Sequence, residues 1–260
     1  MPISVTNIGT NSTTSATSLA VTVGAGGVPA GSLIVVCAEI FKLGSSPNIN
    51  TVVDTATNSY NAGRISGHPN NVGTNGEGSI SYAFNCLALA NTNTITASST
   101  ATASQIAVSA FYATGIQTSS DPINAFPSTV AAGSSATPSV QLAGVPLVAG
   151  SLVIGAVGTN GPNTDTFTQD STNGAWATPP IRVGTAVDAT IAGGFLVTSA
   201  QVTYAPTLGT SRPWTDMTIV FKPAPSVGGQ ITASMIVTCE DLLRVTPGAG
   251  NQLTWWRYPR

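Results

Sequence analysis

Asp54 and Asn58 stand four residues apart in the turn DTATN, and they are the residues whose types and spacing come nearest to a chemical site. Two readings of this turn are open. Oxygen ligands from Asp54 and Asn58, joined by Asp165 or Asp170 from further along the chain, would suit a calcium ion. Alternatively, the Asp and Asn side chains accept hydrogen bonds from nearby backbone amides and hold a tight connection between strands. The second reading carries more weight, because a calcium site gathers more carboxylate charge than this turn offers. No resident cofactor or metal is therefore expected.

Other catalytic chemistry finds little footing. The single histidine, His68, lies among turn formers in SGHPNN with no His or Cys beside it, so it is expected to be solvated. The loop VGTNGEG around Glu77 is glycine-rich, but it lacks the Lys-Ser/Thr of a phosphate loop and leads into a strand pattern. Nothing like GxSxG marks a nucleophile. The ten acidic residues are scattered along the chain rather than paired as glycoside hydrolysis requires. No catalytic residue is expected, and the chain reads as a non-enzyme. Cys37, Cys86 and Cys239 are odd in number and far apart, which points to buried free thiols rather than a disulfide framework or a CxxC site.

Composition narrows the partners. Charged residues are 7% of the 260-residue chain, against roughly 25% in ordinary soluble proteins, while apolar content is 42%. Solubility must come from Ser, Thr, Asn and Gly, a surface chemistry common on particles and outside cells. With a net charge of −2 and no Lys/Arg cluster, binding to nucleic acid is not expected. No apolar run reaches membrane-spanning length, and the start MPISVTNIGT carries neither a basic stretch nor an apolar block, so neither a membrane partner nor a signal peptide is expected.

The elements that must position these residues are strands. SYAFNCLA places Tyr82, Phe84, Cys86 and Ala88 on one face, and MTIVFK places Met217, Ile219 and Phe221 on one face, while IAVSAFYA and FLVTSAQVTY are β-branched and aromatic. Between them lie SSPNIN, SGHPNNVGTNGEGS and GTNGPNTD, rich in turn formers. A repeat orders the whole. AGSLIVVCA begins at Ala30 and AGSLVIGAV at Ala149, and each leads through an Asp/Asn turn to further strands. Four strands per half would leave an apolar sheet face bare, so two halves facing each other in one sandwich of about eight strands are favoured over two independent domains. The expected fold is all-β: an antiparallel, jelly-roll-like β-sandwich built from two similar halves. Its expected parts are an N-terminal lead and strand at 1–27, a sandwich at 28–223 with half-repeats at about 28–116 and 145–223, and a C-terminal arm at 224–260.

The order G-x-L-I-V-V, V-x-D-x-x-x-N-x-Y, an aromatic strand and a closing V-x-F-K-P resembles a β-sandwich module that recurs in tailed-bacteriophage structural proteins and bacterial surface proteins. It is carried by Gly31, Leu33 to Val36, Val53, Asp54, Asn58, Tyr60, Phe111, Tyr112 and Val220 to Pro223, and it spans Gly31 to Pro223. Where the module reads GDL this chain has Gly-Ser-Leu, and where it reads D-x-x-G-N it has Thr57 in place of Gly. The resemblance implies a noncatalytic part of a virion or of a cell surface.

The arm ends in Trp255, Trp256, Arg257, Tyr258 and Arg260, residue types enriched at interface hot spots. They are the expected partner-binding residues, docking onto another subunit, with a terminal strand that folds back on its own core as the other reading. Two functions follow. The first is a virion structural protein of a tailed phage, a capsid decoration, head fibre or tail component, located on the particle and bound to other virion proteins and to itself. The second is a carbohydrate-binding module or adhesin in which Trp176, Tyr204 or Trp214 stacks on the sugar rings of a cell-surface glycan. Exposed aromatics would favour the second.

Overall fold

The structure, a computed structural model, describes residues 2–68, 75–102, 104–142, 147–200 and 202–225, without the side chains of 62–64 and 124–128. The segment 226–260, which holds Cys239 and the expected contact residues Trp255, Trp256, Arg257, Tyr258 and Arg260, lies outside the described residues.

The protein is all-β, with 56% of residues in strands, antiparallel sheets packed face to face and no helix among the described residues. The first half contains β1 (Ser4–Ala16), β2 (Ser18–Thr22), β3 (Leu33–Lys42), β4 (Ile49–Asp54), β5 (Asn61–Gly67), β6 (Asn75–Ala83), β7 (Thr94–Ser99) and β8 (Ser104–Thr114). They form a five-stranded sheet in the order β1-β8-β3-β6-β5 and a three-stranded sheet in the order β2-β7-β4. The chain thus alternates between two sheets as a jelly roll does.

The second half repeats this layout. It contains β9 (Ile123–Ser135), β10 (Val140–Gln141), β11 (Ser151–Thr159), β12 (Phe167–Thr168), β13 (Val183–Gly184), β14 (Thr190–Thr198), β15 (Thr203–Tyr204), β16 (Thr207–Leu208) and β17 (Arg212–Phe221). Its large sheet runs β9-β17-β11-β14-β13, strand for strand the order of the first. The counterpart of β7 is broken into β15 and β16, which pair with β10 and β12. Pro206, which has no N–H to donate, stands in the break.

Each half is therefore a jelly roll in its own right, which corrects the expected sharing of one eight-stranded sandwich. The physical reason lies in the central strands. In β3, Ile34, Val36, Ala38 and Ile40, with Ile106 of the neighbouring β8, pack against Val21, Ile95 and Ala97 of the small sheet. The alternate residues Leu33, Val35 and Cys37 face the other way and meet Leu152, Ile154, Met217, Ile219 and Phe221 of the second half. A run apolar at nearly every position is buried on both faces. The first 27 residues, expected as a lead and a strand, supply two strands, β1, paired with β8, and β2, paired with β7.

The two large sheets pack against each other about a pseudo-twofold axis. β3 lies against β11, β8 against β14 as β17 lies against β6, and β1 against β13 as β9 lies against β5. Such a reciprocal pattern is the geometry of an isologous interface, here within one chain. Polar bonds rim it. The Ile181 amide donates to Ser109 Oγ (3.0 Å), Thr185 Oγ1 to Gln105 Oε1 (2.7 Å) and Thr215 Oγ1 to the Gly67 carbonyl (3.0 Å).

The repeated AGSL opens both central strands in the same way. Gly31 (φ 77°) and Gly150 (φ 78°) take the left-handed conformation that turns the chain into the sheet. The buried hydroxyl of the next residue then donates to the carbonyl three residues back, Ser32 to Pro29 at 2.8 Å and Ser151 to Val148 at 2.7 Å. An ionised aspartate in place of this serine would have no proton to make that bond.

Candidate functional site

The turn after β4 closes on Asp54. Its Oδ1 accepts from the amides of Ala56 (2.9 Å) and Asn58 (3.1 Å), and its Oδ2 from Asn58 Nδ2 (2.8 Å) and Tyr60 Oη (2.9 Å). Burial, followed by the Asp54 charge, pushes the Tyr60 phenol well above its ordinary value, so it stays a donor. Asn58 reaches on to Leu87, accepting from its amide at 2.6 Å and donating to its carbonyl at 3.3 Å. Thr57 occupies the left-handed region (φ 62°), which glycine reaches at less cost than a β-branched residue.

A second clasp of the same chemistry follows β12. Asp170 Oδ1 accepts from the amides of Thr172 (2.8 Å) and Asn173 (3.0 Å), and Oδ2 from Asn173 Nδ2 (2.9 Å) and the Ala205 amide (2.8 Å). Burial alone would raise this carboxyl, but the Asn173 side chain and the three amides together hold it below the usual range. Ala205 sits at the break between β15 and β16, so Asp170 caps the gap in the small sheet. In both clasps each carboxylate oxygen already serves two protein donors, which leaves it poorly disposed toward a metal ion.

Asp165 is engaged elsewhere. Arg212 grips it through Nε at 2.6 Å and Nη2 at 3.1 Å, while Arg182 donates to its backbone carbonyl. The hydrogen bond from Arg212 holds the Asp165 carboxyl below its ordinary value. These groups rim a shallow depression whose apolar wall is Val157, Phe167, Ala192 and Leu208. An ionised acid clamped by a guanidinium that never releases its proton is a latch, not an acid–base pair. The four candidate calcium ligands Asp54, Asn58, Asp165 and Asp170 are thus split between the two jelly rolls and an ion pair. Among the described residues no cluster of three or more His, Cys, Asp or Glu could hold a metal.

The expected glycan-stacking aromatics are internal, which corrects their placement on an exposed platform. Trp176 and Trp214 are each 7% exposed and Tyr204 is fully buried. Trp176 and Tyr204 pack ring to ring at 4.6 Å, the Tyr204 hydroxyl donates to Gln169 Oε1 (2.7 Å), and Trp214 Nε1 donates to Ser135 Oγ (3.0 Å). The small sheet of the second half is built from two-residue strands, and these large rings fill the space that a longer sheet would cover. Cys37 and Cys86 are free and buried, and burial raises both thiols, Cys86 to about 11.

Three buried acids were not anticipated. Glu39 and Asp216 are completely buried and Glu77 is 5% exposed. Burial pushes Glu77 up to about 7 against the pull of the Ile49 amide, 3.1 Å from Oε1, and of nearby His68. His68 itself is half-buried rather than solvated, with Nδ1 donating to the Gly76 carbonyl at 2.7 Å. Burial likewise raises Glu39 and Asp216 far above ordinary carboxylates. A signal for Glu39 existed: it is the one charge inside the apolar run LIVVCAEIF, on a strand covered on both faces. Compared with known proteins, the sequence matches no family model and no curated protein.

Proposed function

We propose that this protein is a non-enzymatic structural subunit on the surface of a tailed-bacteriophage particle, a head decoration or fibre, held there by protein contacts. The observation that carries the reading is the doubled jelly-roll body, in which Asp54, Asp165 and Asp170 are spent on internal clasps and an ion pair rather than turned toward a substrate. Jelly rolls recur in capsid and lectin domains alike. The resemblance of Gly31–Pro223 to a phage and surface-protein module, together with a surface that relies on hydroxyl and amide groups, favours the particle. The adhesin reading loses the platform of Trp176, Tyr204 and Trp214, since all three lie in the interior.

Light scattering coupled to size exclusion tests the proposal, on the full chain and on a version ending after Pro225, where the compact body ends. The proposal expects an oligomeric full chain and a folded, monomeric truncation, with the aromatic C-terminal segment as the assembly element. A full chain that stays monomeric at the highest soluble concentration and binds defined glycans on an array overturns it in favour of the adhesin.

A further inference from the structure

Glu39 lies on the pseudo-twofold axis strand β3, opposite Gly78 of β6 in the sheet register, and its side chain enters the seam between the two large sheets. Its equivalent on the other axis strand is Gly158, since both stand six residues after the leucine of AGSL. The two meet: a Cβ on Gly158 would overlap Glu39 Oε2. Gly78 and Gly76 crowd the same carboxyl, with Cβ positions 3.1 Å from Oε2 and 3.2 Å from Oε1. Glycine at these three positions makes room for the acid and for nothing larger.

Among the described residues neither Glu39 oxygen has a hydrogen-bond partner, and neither does the buried Oδ1 of Asn160, which also borders Gly76. Three acceptor atoms gathered in a buried seam lack a donor. The charge that acts on this place from the surrounding elements is Glu77, next to Gly78 on β6, whose side chain turns to the opposite face of the sheet and accepts from the Ile49 amide, with His68 beyond it. From β11 and the residue after it come Gly158 and Asn160, from β17 Thr215 and Met217, and from β8 Ala107, all uncharged. Among the described residues no lysine or arginine forms an ion pair with Glu39.

We propose that the seam is a proton-gated joint, in which Glu39 sits as a neutral carboxylic acid and its ionisation loosens the packing of one jelly roll on the other. A proton on Glu39 turns one of these three oxygens into a donor and removes the charge from the seam. Its loss leaves a bare charge among acceptors and beside a second acid, a state that packing against glycine cannot relieve. The sign follows from linkage. Burial, then Glu77, raises the folded-state carboxyl, so the seam is tight at acid pH and weakens as pH climbs from the ordinary glutamate range toward the folded value. Across that window the open population grows about tenfold per pH unit.

Native-state hydrogen exchange of the full chain, corrected for intrinsic rates between about pH 5 and pH 9, reads the joint directly. In the wild type, protection of β3, β6, β11 and β17 falls with pH while that of β2 and β7 does not; in Glu39→Gln the seam strands lose this dependence. Equal pH dependence in wild type and Glu39→Gln overturns the proposal. Should Glu39→Gln not fold, a carboxyl 13C titration of the wild type decides, because a Glu39 resonance that ionises in the ordinary glutamate range is incompatible with a neutral acid at neutral pH. Tightening of the seam by added calcium or sodium at constant pH also overturns it, since a cation rather than a proton would then occupy the nest.

Discussion

Replacing Asp54 with alanine removes four hydrogen bonds at once, two from backbone amides and two from the Asn58 and Tyr60 side chains. A bond to a charged acceptor contributes about 1.5–3 kcal/mol to stability. The four share one carboxylate at a partly exposed turn and do not add, so a loss of about 2–4 kcal/mol is expected. In a body of this size that lowers the melting temperature by about 5–15 °C. Most of the loss comes from Tyr60 and Asn58, because Asn58 also carries the tie to Leu87 and cannot hold its place unaided. Calorimetry and urea unfolding should be run on wild type and Asp54→Ala, each with calcium and with EDTA. The clasp predicts the same deficit in both buffers and a wild type indifferent to EDTA. A wild type that drops by the mutant's deficit when EDTA is added would show that Asp54 is a calcium ligand and sink the reasoning; so would a deficit below about 0.5 kcal/mol, the scale of an ordinary surface change.

Thr57→Gly should raise stability by about 0.5–1 kcal/mol, as relief from the left-handed conformation exceeds the added freedom of the unfolded chain; urea midpoints check it. Gly155→Ala should cost about 1–3 kcal/mol by the same measurement, because its Cβ would lie 2.5–2.8 Å from ring atoms of Tyr204. Asp216→Asn should leave stability unchanged below the ordinary aspartate range and raise it progressively as pH climbs above that range: burial lifts the native carboxyl, so its contribution is lost as pH rises, and urea unfolding across pH reads the difference. Neither Cys37 nor Cys86 should react with a thiol reagent in the native state, and both should react in denaturant, as mass spectrometry of the labelled chain would report.

The duplication was legible in sequence because AGSL marks a turn whose glycine and serine are both required, and such a turn repeats only where the geometry repeats. The extent of each half was less so. β1 is an edge strand of Ser, Thr and Asn with most positions exposed, and such a strand shows no apolar alternation. The sharing of sheets is less legible, although LIVVCAEIF carries a clue: a run apolar on both faces needs a neighbour on each side, which a single two-layer sandwich cannot provide. The Asp54 turn is visible in residue type and spacing, because Asp and Asn side chains close turns through hydrogen bonds to nearby amides. Trp176, Tyr204 and Trp214 were placed outside because residue type says only that an aromatic can stack, and whether it stacks on a sugar or on a neighbouring ring is decided by the length of the sheet above it.

The pseudo-twofold seam has a consequence that a true dimer would not allow. In two identical chains related by a dyad, each residue near the axis meets its own copy, and an acid there would be set against a second acid in a space that admits one side chain. Joining the two jelly rolls in one chain breaks that constraint, because Glu39 can be kept on one side while Gly158 is kept on the other. The join also makes closure unimolecular, so the seam forms at any dilution and need not be tight to persist. An interface freed from both requirements can accommodate an unpaired acid that an assembly of separate subunits would have had to eliminate.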